Sequence, residues 1–331
     1  MRRFSLITLA VLSGASAHAE VVRIPQESGF SGYVMGGVGY TDYQSNFFQG
    51  PDDDHETHGG LGGGPDDRNA VHAVGGLDLR YTFAETRTQV FLGNLLQDAI
   101  RYDFTQQFGV RQEVDGKGIV ALSYVFNTKD AETWSDPYQN GDRDDTDMTM
   151  DGVRLAWDQI WGSGFNAGYT YQELDLDREK SGESLGLDAR ERALLDRNGT
   201  VHQFRFSYDW AIAPNQGLRP EVVYSNGDLD GEAVSFDRYL FKLTYGLHRE
   251  RWSLTANAFA GTTRYSDDNP VFSDRANSDE YGLGASVYWH KLFGVNRLSG
   301  IASVALMESE SDIRFYDAGM SHVSTGLLYK F

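Results

Sequence analysis

The sequence predicts an all-β fold: a transmembrane, antiparallel, up-and-down β-barrel of about fourteen strands. Three observations predict it. Apolar and polar residues alternate over stretches of about ten residues, short and long connections take turns along the chain, and the final segment carries an apolar row that ends at Phe331. A strand that crosses a bilayer within a closed barrel needs this two-faced pattern, with one face for lipid and one for the lumen.

The alternation is clearest in four segments. Residues 202–212 put His202, Phe204, Phe206, Tyr208, Trp210 and Ile212 on one parity and Gln203, Arg205, Ser207, Asp209 and Ala211 on the other. Residues 239–247 do the same with Tyr239, Phe241, Leu243, Tyr245 and Leu247, and residues 281–289 and 165–171 follow. Taken in order, strands are expected near 30–43, 71–83, 87–94, 100–113, 118–128, 148–160, 165–176, 200–213, 218–226, 235–248, 251–265, 279–292, 297–309 and 319–331. The segment at 87–94 is the shortest, and if it is no strand the even count of such barrels falls to twelve. Turns at 115–118, 162–164, 215–217 and 294–296 are short, whereas polar loops near 44–69, 129–146, 178–198, 227–233 and 266–278 are long. Short turns on the periplasmic side and long loops outside are the expected asymmetry of outer-membrane barrels.

The ends and the composition agree with export. Arg2 and Arg3, the apolar run from Leu6 to Leu12 and Ala17-His18-Ala19 have the form of a secretory signal peptide over residues 1–19. A short periplasmic segment, 20–29, then leads into a barrel over 30–331. The net charge of −19 becomes −21 once Arg2 and Arg3 are removed. The chain has no cysteine, so neither a lipid anchor nor a disulfide framework is available. With a mean hydropathy of −0.46 and no apolar run of eighteen residues after the leader, helical spans are excluded.

The stretches IPQESGFSGYVMGGVGYTDY (24–43), TQVFLGN (88–94), RYDFTQQFGVRQ (101–112), WSDPY (134–138), LLDRNG (194–199), DLDGEA (228–233) and FYDAG (315–319) resemble an uncharacterised family of proteobacterial outer-membrane proteins, known only as a domain of unknown function. The resemblance covers nearly the whole mature chain. It implies a barrel in the outer membrane and implies no activity.

Function has to be read from the lumen-facing parity. That row offers Arg80, Arg101, Arg154, Arg205, Arg219, Arg238 and Lys242 as a basic lining, against Asp78, Asp103, Asp158, Asp209 and Glu221. In one reading these cations line a passive channel for small hydrophilic solutes and favour anions, as rings of charge do in other pores. In the other, the charges pair across the wall and fill a structural lumen, and function rests with acidic extracellular loops. Arg80 with Asp78, and Arg101 with Asp103, have the spacing for pairing. Residues 185–195 have helical spacing, with Leu187, Leu194 and Leu195 on one side, and suit a short helix that either narrows the mouth or lies over the rim. The row Val323, Thr325, Leu327, Tyr329 and Phe331 resembles the signal read by barrel assembly machinery.

Other chemistries find less support. Barrel hydrolases need a Ser/His/acid set; His202, His72 and His322 are the candidates, and no Gly-x-Ser-x-Gly occurs. His55 and His58 lie among acids in a Gly-rich loop but match no recognised metal spacing. No catalytic residue, metal or cofactor is expected. Expected partners are outer-membrane lipid and lipopolysaccharide, assembly machinery and small solutes; nucleic acid is disfavoured by the acidic charge.

Overall fold

A computed structural model describes residues 23–50, 56–57, 59–94, 106–127 and 131–331. The expected leader, Arg101, Asp103, His55, His58 and Asp52 to Asp54 lie outside the described residues.

Fourteen strands form the barrel: β1 Gly29–Gln44, β2 Asp67–Phe83, β3 Thr88–Gly93, β4 Gln106–Val114, β5 Gly118–Phe126, β6 Asp145–Asp158, β7 Phe165–Leu176, β8 Gly199–Tyr208, β9 Gln216–Leu229, β10 Phe236–His248, β11 Trp252–Tyr265, β12 Ser278–Trp289, β13 Leu298–Ser311 and β14 Ala318–Lys330. Each pairs antiparallel with the next, and β1 pairs β14 from Tyr33 opposite Lys330 to Gln44 opposite Gly319, so the sheet closes. Closure leaves no row of unpaired backbone groups facing lipid. The short segment near 90 is a true strand, paired to β2 on one side and β4 on the other, which settles fourteen over twelve. The expected strand 200–213 is instead interrupted. It breaks at Asp209, and Trp210–Ala213 pairs separately with β9 through a register shift after Ala211. Asp209 turns its carboxylate to Arg219 and Asn166, and that local pairing accounts for the break.

Outward residues are those the alternation named. Phe204, Phe206, Phe241 and Leu283 are 50–59% exposed, which is the band that lipid covers. Inward residues behave very differently: Asp78, Phe91, Arg111, Arg154, Glu221, Tyr288 and Leu328 are each at most 4% exposed. Water in a wide pore would touch such side chains, so the lumen is crowded. The wall is also uneven. Arginines concentrate on β2 to β10, while β11 to β14 turn Ser253, Thr255, Ser286, Ser303 and Ser324 inward, leaving space for longer side chains from the facing wall.

Two of the short turns share one backbone pattern. Gln159, Trp161 and Gly162 in one, and Lys291, Phe293 and Gly294 in the other, all have φ between 52° and 79°. That region is costly for residues with a Cβ, about 1–2 kcal/mol each. Each turn thereby presents an aromatic: Trp161, whose ring meets the outward Trp157 edge-on at 5.2 Å, and the exposed Phe293. At the same end the chain before β1 is held by Arg87, which donates to the carbonyls of Ile24 and Pro25, with Ile24 buried against Ile119.

Candidate functional site

The lumen brings most of the expected cations together but does not leave them as a bare ring. Arg80 Nε donates to both carboxylate oxygens of Asp78 at 2.9 Å, as its spacing suggested. Arg238 Nε grips Glu280 at 2.9 and 3.1 Å, and the Thr263 hydroxyl donates to the same carboxylate at 2.6 Å. Arg219 and Asp209 are an ion pair with both side chains buried. Arg154 Nε donates to Thr170 Oγ1 at 2.9 Å. Lys242 is half-buried and faces Glu221 across the β9–β10 ladder.

Between these pairs lies a partly enclosed polar cavity of about 40 Å³ in the half of the lumen nearer the short turns. Arg111, Arg154 and Arg205 line it with Asp158 and Glu221. Arg111 is fixed by two bonds to Gln89 Oε1 and by the Phe91 ring 5.8 Å away. Sequence periodicity placed Glu221 on the inner face but could not show its state. It is 3% exposed, and neither carboxylate oxygen has a hydrogen-bond partner in the protein.

The candidate histidines His202, His72 and His322 are each placed apart from a serine–acid pair. His202 Nδ1 meets the Tyr169 hydroxyl at 2.8 Å. His72 Nε2 and His322 Nδ1 share the Thr41 hydroxyl, at 2.9 and 2.8 Å, and one hydroxyl proton can serve only one of them. A serine–histidine contact occurs elsewhere, unforeseen, at the short-turn rim: Ser253 Oγ lies 2.8 Å from His248 Nδ1 and 2.7 Å from His290 Nε2. Among the described residues no group of three or more His, Asp or Glu is placed to hold a metal ion.

At the outer end, six connections fold into one apolar core. Tyr138, Leu195, Ala233, Ala276, Ile313 and Phe315 are buried together, and Phe47, Leu61, Leu187, Leu194 and Phe272 pack on them. The Tyr138 and Phe315 rings stack at 5.5 Å and 17°. Tyr138 and Tyr316 hydroxyls lie 2.7 Å apart, and Asn269 Nδ2 donates to both. Asp136 accepts from the backbone of Tyr138, Gly182 and Ser184, and Arg197 ties Glu179 to the Trp134 and Ser135 carbonyls. The expected helix at 185–195 is only Ala189–Ala193, started by an Asp188–Glu191 capping box. It stops early because Leu194 and Leu195 turn into this core, so its leucines hold the cap together and the helix does not stand alone at the mouth.

Burial pushes the Tyr138 phenol up to about 12 from an ordinary 10, and Tyr316 well above 10 for the same reason. A raised folded-state value keeps the neutral phenol, so this stabilisation is whole below pH 10 and falls as pH rises toward 12. For Tyr138 alone the loss is about 2–3 kcal/mol. Limited proteolysis of the loops in detergent should therefore accelerate between pH 10 and 12. The double variant Y138F/Y316F should flatten that rise; an unchanged pH profile would remove the phenols as its cause.

Four of the stretches that carried the family resemblance, WSDPY, LLDRNG, DLDGEA and FYDAG, meet in this cap. A family model matches residues 29–330, the full run of the barrel and its loops. The chain belongs to the DUF2860 family, described as proteins of unknown function. No curated protein matches the sequence. Among solved structures, this DUF2860 barrel is similar to a loop-deletion form of OmpT, an outer-membrane protein of Vibrio cholerae (7% identity, 92% of this chain and 99% of that one, TM-score 0.43). It is also similar to an anion-selective porin from Comamonas acidovorans (10% identity, 92% and 99% covered, TM-score 0.41) and to the outer-membrane channel DcaP of Acinetobacter baumannii (8% identity, 92% and 97% covered, TM-score 0.43). The DUF2860 chain is an outer-membrane β-barrel; nothing about solutes is carried over from these proteins.

Proposed function

We propose that this DUF2860 barrel is a narrow outer-membrane channel for small hydrophilic solutes that favours anions. The observation that carries the reading is the arginine set of the inner wall, Arg111, Arg154 and Arg205, converging on one polar cavity inside a lumen otherwise packed with side chains. Fixed guanidinium groups in a water-poor passage favour negative solutes more than the same charges would at a surface. Arg205, Arg238 and Lys242 are the wall cations best placed to set selectivity, because they are less buried than Arg154 and Arg219. In the same reading Tyr329 and Phe331 serve assembly, and the acidic loops face lipopolysaccharide.

The test is single-channel recording of refolded protein under a salt gradient. Anion-biased reversal is expected, and R205E/R238E should blunt or invert it. Reversal potentials that do not move would remove the arginines from selectivity. One observation favours a second reading, a shut barrel acting through its outer surface: the six-loop core with its buried hydrogen bonds. A folded, heat-modifiable barrel that stays silent in the bilayer would select that alternative.

A further inference from the structure

Charge at the short-turn end of the barrel is gathered in one sector. The chain as a whole carries −19, and three other short turns are balanced or neutral: Glu85 accompanies Arg87, Asp115 accompanies Lys117, and nothing from 159 to 164 is charged. Two turns depart from this. The β10–β11 turn holds Arg249 and Arg251 around Glu250, and the β12–β13 turn holds Lys291 and Arg297 with no acid between them. All four cations are exposed, and among the described residues none of the four is in an ion pair. The two turns are neighbours, since the His290 backbone N–H donates to the Arg251 carbonyl.

The lipid face of the same strands is dented. One cross-strand row runs Tyr245, Ala256, Ala285, Val304 from β10 to β13, and the next runs Leu243, Ala258, Leu283, Leu306. Alanine on β11 and β12 between larger side chains on β10 and β13 leaves an apolar trough of about 570 Å³, a size usual for small-molecule sites. Its banks stand about 14 Å apart, three strand spacings. From Arg251 to Ala256 is about 16 Å along the strand, close to the half-thickness of a ~30 Å hydrocarbon core. Trp252 and Trp289, paired across the β11–β12 ladder and both exposed, lie between trough and cations, where indole rings mark the headgroup boundary.

We infer that this sector binds one anionic phospholipid from the leaflet on the short-turn side. Arg251, Lys291 and Arg297 meet the headgroup phosphate, the paired tryptophans flank the glycerol region, and the acyl chains lie over Ala256, Ala258 and Ala285. The trough alone would accept any lipid, and the cations alone any anion; their spacing along one set of strands selects a molecule with a charged head and apolar chains. Neither feature depends on whether the lumen conducts.

The experiment is native mass spectrometry of refolded protein in an uncharged detergent, titrated with phosphatidylglycerol or with phosphatidylcholine of the same chains. Each exposed cation is worth roughly fivefold toward an anionic lipid surface, so one phosphatidylglycerol should be retained on the order of tenfold or more tighter than phosphatidylcholine. R251Q/K291Q/R297Q should erase that preference, and A256L/A285L, which fills the trough, should weaken retention several-fold with the cations intact. Heat modifiability first shows both variants to be folded. Equal retention of the two lipids, or a preference that survives the triple variant, would overturn the inference. Retention unchanged by A256L/A285L would overturn it as well, leaving a basic patch open to an acidic protein surface. Glycerol phosphate, the head without chains, should not bind at the same concentrations; if it binds as tightly as phosphatidylglycerol, the ligand is a free phosphate and the lipid is excluded.

Discussion

Replacing Tyr138 and Phe315 together by alanine should unseat the loop cap while the barrel stays folded. Both side chains are buried, at 2% and 4% exposure, and they stack on each other. Truncating one buried aromatic costs about 3–5 kcal/mol. The two losses share a contact, so the double variant will fall short of their sum. It still exceeds what an apolar core drawn from six connections can lose and remain in one arrangement. Loss of Tyr138 also strips Tyr316 and Asn269 of a hydrogen-bond partner. Protease should then cut the loops many times faster, while heat modifiability, which reports the strand ladder, changes little. Should the lumen below conduct, opening its roof should raise conductance as well. Loops that remain resistant would mean that the hydrogen bonds of Asp136 and Arg197 hold the cap without the aromatic pair.

Arg219→Leu is the second large effect. Arg219 and Asp209 bury each other, and Asp209 also accepts from Asn166 Nδ2 at 3.0 Å. Removing the cation leaves a buried carboxylate with one neutral donor, and a broken buried pair costs about 3–5 kcal/mol. The refolded variant should unfold at clearly lower temperature or denaturant. Adding Asp209→Leu removes the stranded charge and should recover most of the loss, since apolar substitutes for a whole buried pair are often neutral. A double variant as unstable as the single one would show that Arg219 works chiefly through Asp158 or Glu221, the other acids near it.

What was legible in the sequence is what period two encodes. Phe204, Phe206, Tyr239 and Leu283 announced the lipid face, and Arg80 with Asp78, two residues apart on one strand, announced a pair that the structure forms. The cap was not legible, because its parts lie in six separate connections, each carrying an isolated aromatic or a few aliphatics. Tyr138, Ala233 and Phe315 have no periodic neighbours to mark them as a core; only closure of the barrel brings their loops side by side. The helix was overread for the same reason, since the leucines that seemed to extend it belong to that core. Glu221 sat on the correct parity, but alternation separates inside from outside and does not distinguish a wet inner residue from a dry one. Ser253 with His248 and His290 escaped because His290 comes from a different turn from the other two and meets them only at the rim.

The paired turns at Trp161 and Phe293 bear on how the barrel can move. They join β6 to β7 and β12 to β13, six strands apart in a ring of fourteen, and so stand on nearly opposite sides. Aromatic rings at a membrane–water boundary resist displacement in either direction. Two such feet, each on a backbone held in a sparsely populated conformation, oppose rocking of the cylinder about the axis across them. In a barrel braced in this way tilting is opposed, which leaves the loops above and the side chains within as the parts free to rearrange.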